Sequence, residues 1–235
     1  INPVKVGIHQ FYGIEINDFA VTVAKTALWI AESQMLAETE AIVQMDLDFL
    51  PLKSYTNIVE ANALRIDWET VVAKDKLSYI IGNPPYMKTE DIKVFTPKEH
   101  KLYPKRYKSA YKQYDKYFLF VERAFKLLKE DGAMGYIVPS KFMKVGAGKE
   151  LRNYISSNKS IKAITSFGAH QVFSDKSTYS CIIILQNKEN DSFTYSEVDS
   201  LAKWKVRDLT SFSENKRNIS RLGEETWVLC SDRLQ

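Results

Sequence analysis

Asn83-Pro84-Pro85-Tyr86 follows directly on Ser78-Tyr79-Ile80-Ile81-Gly82. Two successive prolines cannot continue a β-ladder. Each fixes its own φ and drives the residue before it out of the helical region. The four residues are expected to form a stiff, extended tip at the end of a strand, holding an amide and an aromatic ring still. The Asn83 side-chain oxygen and the Pro84 carbonyl are two neutral acceptors. They suit a planar –NH2 group, which offers two donors. Accepting both hydrogens leaves electron density on the nitrogen and lets it pyramidalise toward an electrophile. Tyr86 can stack on the plane bearing that amine. Neutral acceptors also leave a nearby sulfonium donor unquenched in the ground state. This is chemistry by positioning and electrostatic preorganisation, with no histidine required as a base. A rigid turn without chemistry is the plainer reading of the same residues.

The elements needed to hold such a tip are present. Strand-like and helix-like segments alternate, which predicts an α/β domain with a largely parallel sheet. Residues 11–16 read as a strand. Asn17 or Asp18 caps a helix carrying Ala20, Val23, Ala24, Ala27, Leu28, Ala31 and Met35 at helical spacing. Residues 57–64 and 78–85 read as the second and third strands. Phe118, Val121, Phe125 and Leu128 mark a helix that stops near Asp131-Gly132, and 133–139 is a strand. A short helix is expected around 149–157. Strands over 161–167 and 178–186 are too close for a helical crossover, so they are expected to pair antiparallel at the sheet edge. Ligands of open α/β sheets bind beyond the carboxyl ends of the strands. Glu15 ends the first strand and suits the two hydroxyls of a ribose, or is a solvated charge or cap partner. Asn62 ends the second and suits an adenine edge, or simply forms a turn. Glu15, Asn62 and Asn83 are thus expected at one edge.

Composition sets the outer bounds. The 235 residues, 45% hydrophobic and 26% charged, are globular and long enough for an ordinary core, as one large domain or one domain plus part of another. A net charge of +4 is compatible with a polyanion partner. Cys181 and Cys230 lie far apart and read as reduced thiols of a cytoplasmic protein, with Cys181 buried in a strand. His9, His100 and His170 have no metal-ligand spacing, and no apolar run reaches the ~18 residues of a membrane span. Between Lys98 and Lys116, seven Lys/Arg stand against Glu99 and Asp115, interleaved with Tyr103, Tyr107, Tyr111 and Tyr114. That predicts an amphipathic helix with its tyrosines packed inward. It also offers Lys105, Arg106, Lys108 and Lys112 as contacts to a nucleic-acid backbone.

The segments "GNPPY" after "YII", "YGIEIN" upstream and "GYIVPSKFM" downstream resemble the amino-methyltransferases that use S-adenosylmethionine. Across residues 8–187 the order is most similar to the N6-adenine DNA methyltransferases of restriction–modification systems, in the gamma arrangement that includes nuclease-fused enzymes. The resemblance implies a Rossmann-like class I methyltransferase sheet, mostly parallel with an antiparallel edge strand. It implies Glu15 on the cofactor ribose, Ile16 on the cofactor adenine, and Asn62 with Ala63 at the adenine edge, where many members carry Asp. It implies Asn83, Pro84 and Pro85 as the catalytic tip, with Tyr86 stacking on a flipped adenine of double-stranded DNA. Phe173, in "QVFSDKSTYSCIIIL", would touch the other face of that base, or anchor an ordinary loop. The family opens with a strand and a Gly-rich turn at the cofactor's methionine end, and residues 1–10 hold no such turn. The chain is therefore expected to be an N-terminally truncated piece. Residues 1–187 would be a partial catalytic domain, and 188–235 a connector or the start of a target-recognition domain. By itself it is expected to bind cofactor weakly, to be inactive, and to self-associate through exposed sheet edges. Glutamine methyltransferases acting on release factors and some RNA methyltransferases share the tip. The Lys/Tyr insert and the long stretch beyond Asn187 favour DNA over both. A non-catalytic DNA-binding piece is the third reading, disfavoured by the intact tip.

Overall fold

The computed structural model describes residues 5–44, 57–173, 179–206 and 212–229, and the chain divides into two compact units, Ile1–Ala73 and Lys74–Gln235. In the first unit, β1 (Tyr12–Glu15) leads into α1 (Asp18–Val43) and then β2 (Asn57–Glu60). The two strands pair in parallel with Glu15 opposite Glu60. Asn17 is the helix cap: its Oδ1 accepts the Ala20 N–H at 2.9 Å. The helix runs as its spacing predicts. Its apolar side chains are largely uncovered, with Val21 buried and Phe19, Val23, Ile30 and Met35 exposed.

The second unit is a six-stranded sheet. It contains β3 (Tyr79–Gly82), β4 (Ala133–Pro139), β5 (Ile161–Ser166), β6 (Ser180–Gln186), β7 (Ser192–Val198) and β8 (Phe212–Asn218), in the order β3-β4-β6-β5-β7-β8. β3 is parallel to β4, and β7 to β5. β6 runs antiparallel to both of its neighbours, β4 and β5. It follows that β3, β4, β5 and β7 point the same way and deliver their carboxyl ends to one edge. Helices α2 (Thr89–Phe95), α3 (Pro97–Arg106) and α4 (Lys116–Leu127) connect β3 to β4, and α5 (Lys149–Ser157) precedes β5. Phe118, Leu119, Val121 and Phe125 of α4 join Met134, Val138, Ile183 and Leu185 in the core.

The α/β architecture stands as expected, with four differences of detail. The strands lie in two sheets rather than one. The strands over 161–167 and 178–186 do pair antiparallel, but β6 is interior. Its nearly continuous apolar run, Cys181 to Leu185, suits a strand with neighbours on both sides. Residues 188–235 contain β7 and β8, which extend the same sheet and bury Phe193, Tyr195 and Val198. The helix expected through Lys98–Lys116 ends at Arg106, where Tyr107 turns extended. Tyr103, Tyr107 and Tyr114 are nonetheless buried, two of them from a loop. A short helix, α6 (Leu201–Lys205), follows β7. Cys181 is buried and its thiol pushed up to about 12 by that burial, which leaves it unreactive. Cys230 lies outside the described residues. Among the described residues no cluster of His, Cys, Asp and Glu is arranged to hold a metal, and no helix is long and apolar enough to cross a membrane.

Candidate active site

At the carboxyl end of β3, Pro84 is buried while Asn83 and Pro85 are exposed. The tip is thus wedged into the unit by one proline with its amide facing outward. Tyr86 is half-buried. Its hydroxyl donates to the Ile137 carbonyl on β4 at 3.0 Å. The Tyr117 ring meets it edge-on, 5.9 Å between centroids and 74° between planes. Burial, and after it the charges of Cys181 and Asp115, push the Tyr86 hydroxyl up to about 12, so it remains a donor at neutral pH. Tyr117 is held in turn by donation to the Pro139 carbonyl at 3.0 Å.

Behind Tyr86 the chain is clipped to the entrance of α4. The Met87 N–H donates to Asp115 Oδ1 at 2.9 Å, the Lys116 N–H to the Met87 carbonyl at 2.9 Å, and the Thr89 N–H to the Tyr114 carbonyl at 3.1 Å. Lys141 Nζ lies 2.9 Å from Asp115 Oδ2. Asp115, Tyr117 and Lys141 support the tip without any sequence motif that marks them for it. Lys141 falls within "GYIVPSKFM", and Asp115 stands in the sequence as one of two acids among seven cations.

The basic stretch beside the tip is built around a buried carboxylate. Glu122, 0% exposed, accepts the Lys108 N–H at 3.2 Å on Oε1 and the Ser109 N–H at 2.8 Å on Oε2, and pairs with Lys126. Arg123 donates to the Tyr107 hydroxyl at 2.9 Å, and the buried pair Lys116–Glu99 closes at 3.1 Å. These contacts turn the loop so that Lys105, Arg106, Lys108 and Lys112 face solvent. Burial alone would raise the Glu122 pKa, but the Lys126 pair and the Ser109 bonds bring it below the usual 4.5. Its contribution to stability is therefore complete above the unfolded-state value and is lost as pH falls through the folded one. Glu122→Ala orphans two backbone donors and is expected to cost about 2–4 kcal/mol. A urea titration at pH 7 checks this, and the gap to the parent should narrow on acidification.

In the first unit, Glu15 Oε1 accepts the N–H groups of Ile16 and Asn17 at 2.8 and 3.0 Å, so the carboxylate is pinned at the end of β1. Asn62 stands two residues beyond the ladder at the same edge. Its Oδ1 accepts the Leu64 N–H at 2.9 Å, and its carbonyl accepts those of Arg65 and Ile66, as a turn former does. The Ala63 carbonyl takes the Trp68 indole N–H at 2.8 Å, and the Ile16 side chain is exposed. The structure thus brings Glu15 and Ile16 together with Asn62 and Ala63. Within the second unit it brings Tyr86 together with Tyr117, Ile137 and the Asp115–Lys141 pair. Phe173 is half-buried on the segment that leaves β5 at the carboxyl edge of the sheet.

The chain is similar in sequence and in fold to known proteins. The model of the Eco57I restriction-modification methylase family matches residues 9–173. The chain is 41% identical over 230 residues to the type II restriction enzyme and methyltransferase RM.Eco57I of Escherichia coli, which covers 93% of this chain and 23% of that protein. It is 43% identical over 99 residues to DNA methyltransferase A of Bacillus subtilis (strain 168), covering 41% of this chain and 11% of that one. The chain thus spans a quarter or less of these relatives' length. In fold it is similar to the type IIL restriction-modification enzyme MmeI solved with DNA (TM-score 0.68, 24% identity, 84% of this chain, 27% of that one). It is also similar in fold to a protein of Listeria monocytogenes named as a putative class I S-adenosylmethionine-dependent methyltransferase (TM-score 0.51, 14% identity, 83% of this chain, 51% of that one). With its family signature spanning the Glu15 turn, the Asn83–Tyr86 tip and the strands that carry the tip, the chain belongs to the Eco57I restriction-modification methylase family.

Proposed function

We propose that this chain carries the methyl-transferring site of an N6-adenine DNA methyltransferase of a restriction–modification system, acting in the cytoplasm. The observation that carries the reading is the Asn83-Pro84-Pro85-Tyr86 tip, wedged by Pro84 and with Tyr86 anchored to Ile137. Asn83 Oδ1 and the Pro84 carbonyl accept the two hydrogens of the adenine amino group and localise its lone pair. Tyr86 stacks on one face of the base and Phe173 on the other. The amine is paired inside a duplex, so the base must be flipped out to reach them. The chain's own residues fit S-adenosylmethionine in kind. A pinned carboxylate at Glu15 suits the ribose hydroxyls, exposed Ile16 suits the cofactor adenine face, and Asn62 with Ala63 suits its edge. When bound, that cofactor supplies an electrophilic methyl group on a sulfonium.

Lys105, Arg106, Lys108 and Lys112 would hold the DNA backbone, which positions the duplex without specifying sequence. Residues 188–235, whose β7 and β8 extend the sheet of the catalytic part, would lead the chain on toward the part that selects the site. Tyr79 and Ile81, exposed on strand β3 at the sheet's edge, make self-association of the isolated chain part of the same reading.

The test is chemical. DNA treated with an enzyme containing this chain and S-adenosylmethionine is digested to nucleosides and analysed by mass spectrometry. N6-methyladenine is the expected product. Methylated glutamine or RNA with unmodified DNA would overturn the reading. The 235-residue chain by itself is expected to bind the cofactor weakly and to transfer no methyl group. Titration calorimetry checks the first point, and one micromolar site per chain would contradict it.

A further inference from the structure

Asp115 is 4% exposed, and both of its carboxylate oxygens are committed. Oδ1 takes the N–H of Met87, the peptide that leaves Tyr86, and Oδ2 takes Lys141 Nζ, each at 2.9 Å. Met87 also accepts the Lys116 N–H through its own carbonyl, and Lys88 and Asp115 form an antiparallel bridge. The segment after the tip is therefore a two-stranded clip, with Asp115 closing one side. At its far end Tyr86 is held by the hydroxyl bond to Ile137 and the Tyr117 edge. A ring pinned at its tip still pivots if the backbone behind it swings. Asp115 is the side chain that bonds the first N–H of that backbone, beside the main-chain bonds of the clip, and Lys141, 42% exposed and arriving from the turn after β4, holds the carboxylate in register.

We propose that Asp115, braced by Lys141, is a positioning residue for methyl transfer: it fixes the peptide plane behind Tyr86 and so sets how the ring meets the target base. This rests on the reading of the tip given above. Asp115 does not touch the base and is not a catalytic residue. A carboxylate does this better than an amide because it accepts on both oxygens, one from a neutral N–H and one from an ammonium. Asparagine keeps the Oδ1 acceptor for Met87 but turns an –NH2 donor toward the Lys141 ammonium.

The experiment compares wild type with Asp115→Ala, Asp115→Asn and Lys141→Met in an enzyme containing this chain. It uses methyl transfer from labelled S-adenosylmethionine to a duplex carrying the enzyme's site, in the steady state for kcat and KM and in a single turnover for the transfer step. Misplacing a reacting group by about 1 Å costs of order 10²-fold. Asp115→Ala is expected to lower kcat about 10–100-fold with KM for S-adenosylmethionine changed less than about threefold. Asp115→Asn should recover part of that loss, and Lys141→Met should fall in the same direction. A duplex with 2-aminopurine at the target position should show weaker stacking quench of the flipped base in Asp115→Ala. If Asp115→Ala fails to fold, Asp115→Asn and Lys141→Met carry the test. Wild-type kcat and quench in those two would overturn the proposal, as would a loss expressed only in KM or only in melting temperature. If the wild type itself transfers no methyl group to adenine, it is the reading of the tip that fails.

Discussion

Asn83→Ala, placed in an enzyme containing this chain, is expected to slow methyl transfer to DNA by about 10²–10³-fold while leaving S-adenosylmethionine binding nearly unchanged. The magnitude is that of removing one preorganised partner of a charge that develops in the transition state. Asn83 is exposed at the end of β3, held by the wedged Pro84 rather than by any packing of its own side chain. Its removal therefore subtracts an acceptor without opening a cavity, and folding should be spared. Ground-state affinity for the cofactor depends on other groups, so the loss belongs in kcat. Quenched-flow methyl transfer and cofactor binding measured on the same preparation separate the two quantities. A normal transfer rate in the variant would refute the role.

Reversal of Lys105, Arg106 and Lys108 to glutamate is expected to weaken DNA binding to all sequences alike. Each phosphate neutralised by a cation steepens the fall of log affinity against log salt by about 0.9, so removing these three cations flattens it by about 2.7. At ~0.1 M salt that is about 10²–10³-fold in affinity, before any repulsion from the new acids. All three side chains are solvent-facing, and the Glu122 clamp bonds the backbone of Lys108 rather than its side chain. The loop should keep its shape. A filter-binding series over salt reads the slope. The preferred site should not change, since phosphates orient a duplex and base edges select it. An unchanged slope would leave these residues as an ordinary solvated face.

What the sequence disclosed, and what it hid, follows from the kind of signal each element carries. Residues 133–139 and 149–157 were legible to the residue, because an apolar run ends at a proline in one and glycines precede a helical pattern in the other. β8 was not legible. Ser213 to Asn218 is polar throughout, and its strand state comes from pairing with β7 and not from any preference of its own. The tyrosines of the basic stretch misled by their spacing. Four tyrosines three and four apart look like one helical face, yet Tyr107 and Tyr114 reach the core from a loop anchored on Glu122 and Arg123, partners that lie 13 to 16 residues away. The tip was legible because its stiffness is written into Pro84 and Pro85. Its support was not, because Asp115, Tyr117 and Lys141 meet it only through the fold.

The placement of β6 between β4 and β5 has a consequence for how such a protein can diversify. Because β6 runs against both neighbours, the chain leaves β5 and re-enters β6 at the same end of the sheet, with Ser166 opposite Cys181 and the Phe167 N–H bonded to the Ser180 carbonyl at 3.1 Å. The connection is a hairpin whose two feet are riveted side by side by the ladder. Lengthening a loop with fixed feet costs only about 0.6 kcal/mol per doubling. The segment bearing Phe173 is thus free to gain or lose residues without disturbing the register of any strand. Asn83 to Tyr86, cramped between a strand and a short helix, has no such freedom. On the proposed reading, with Phe173 facing the base opposite Tyr86, one side of the site is a fixed anvil and the other an adjustable jaw.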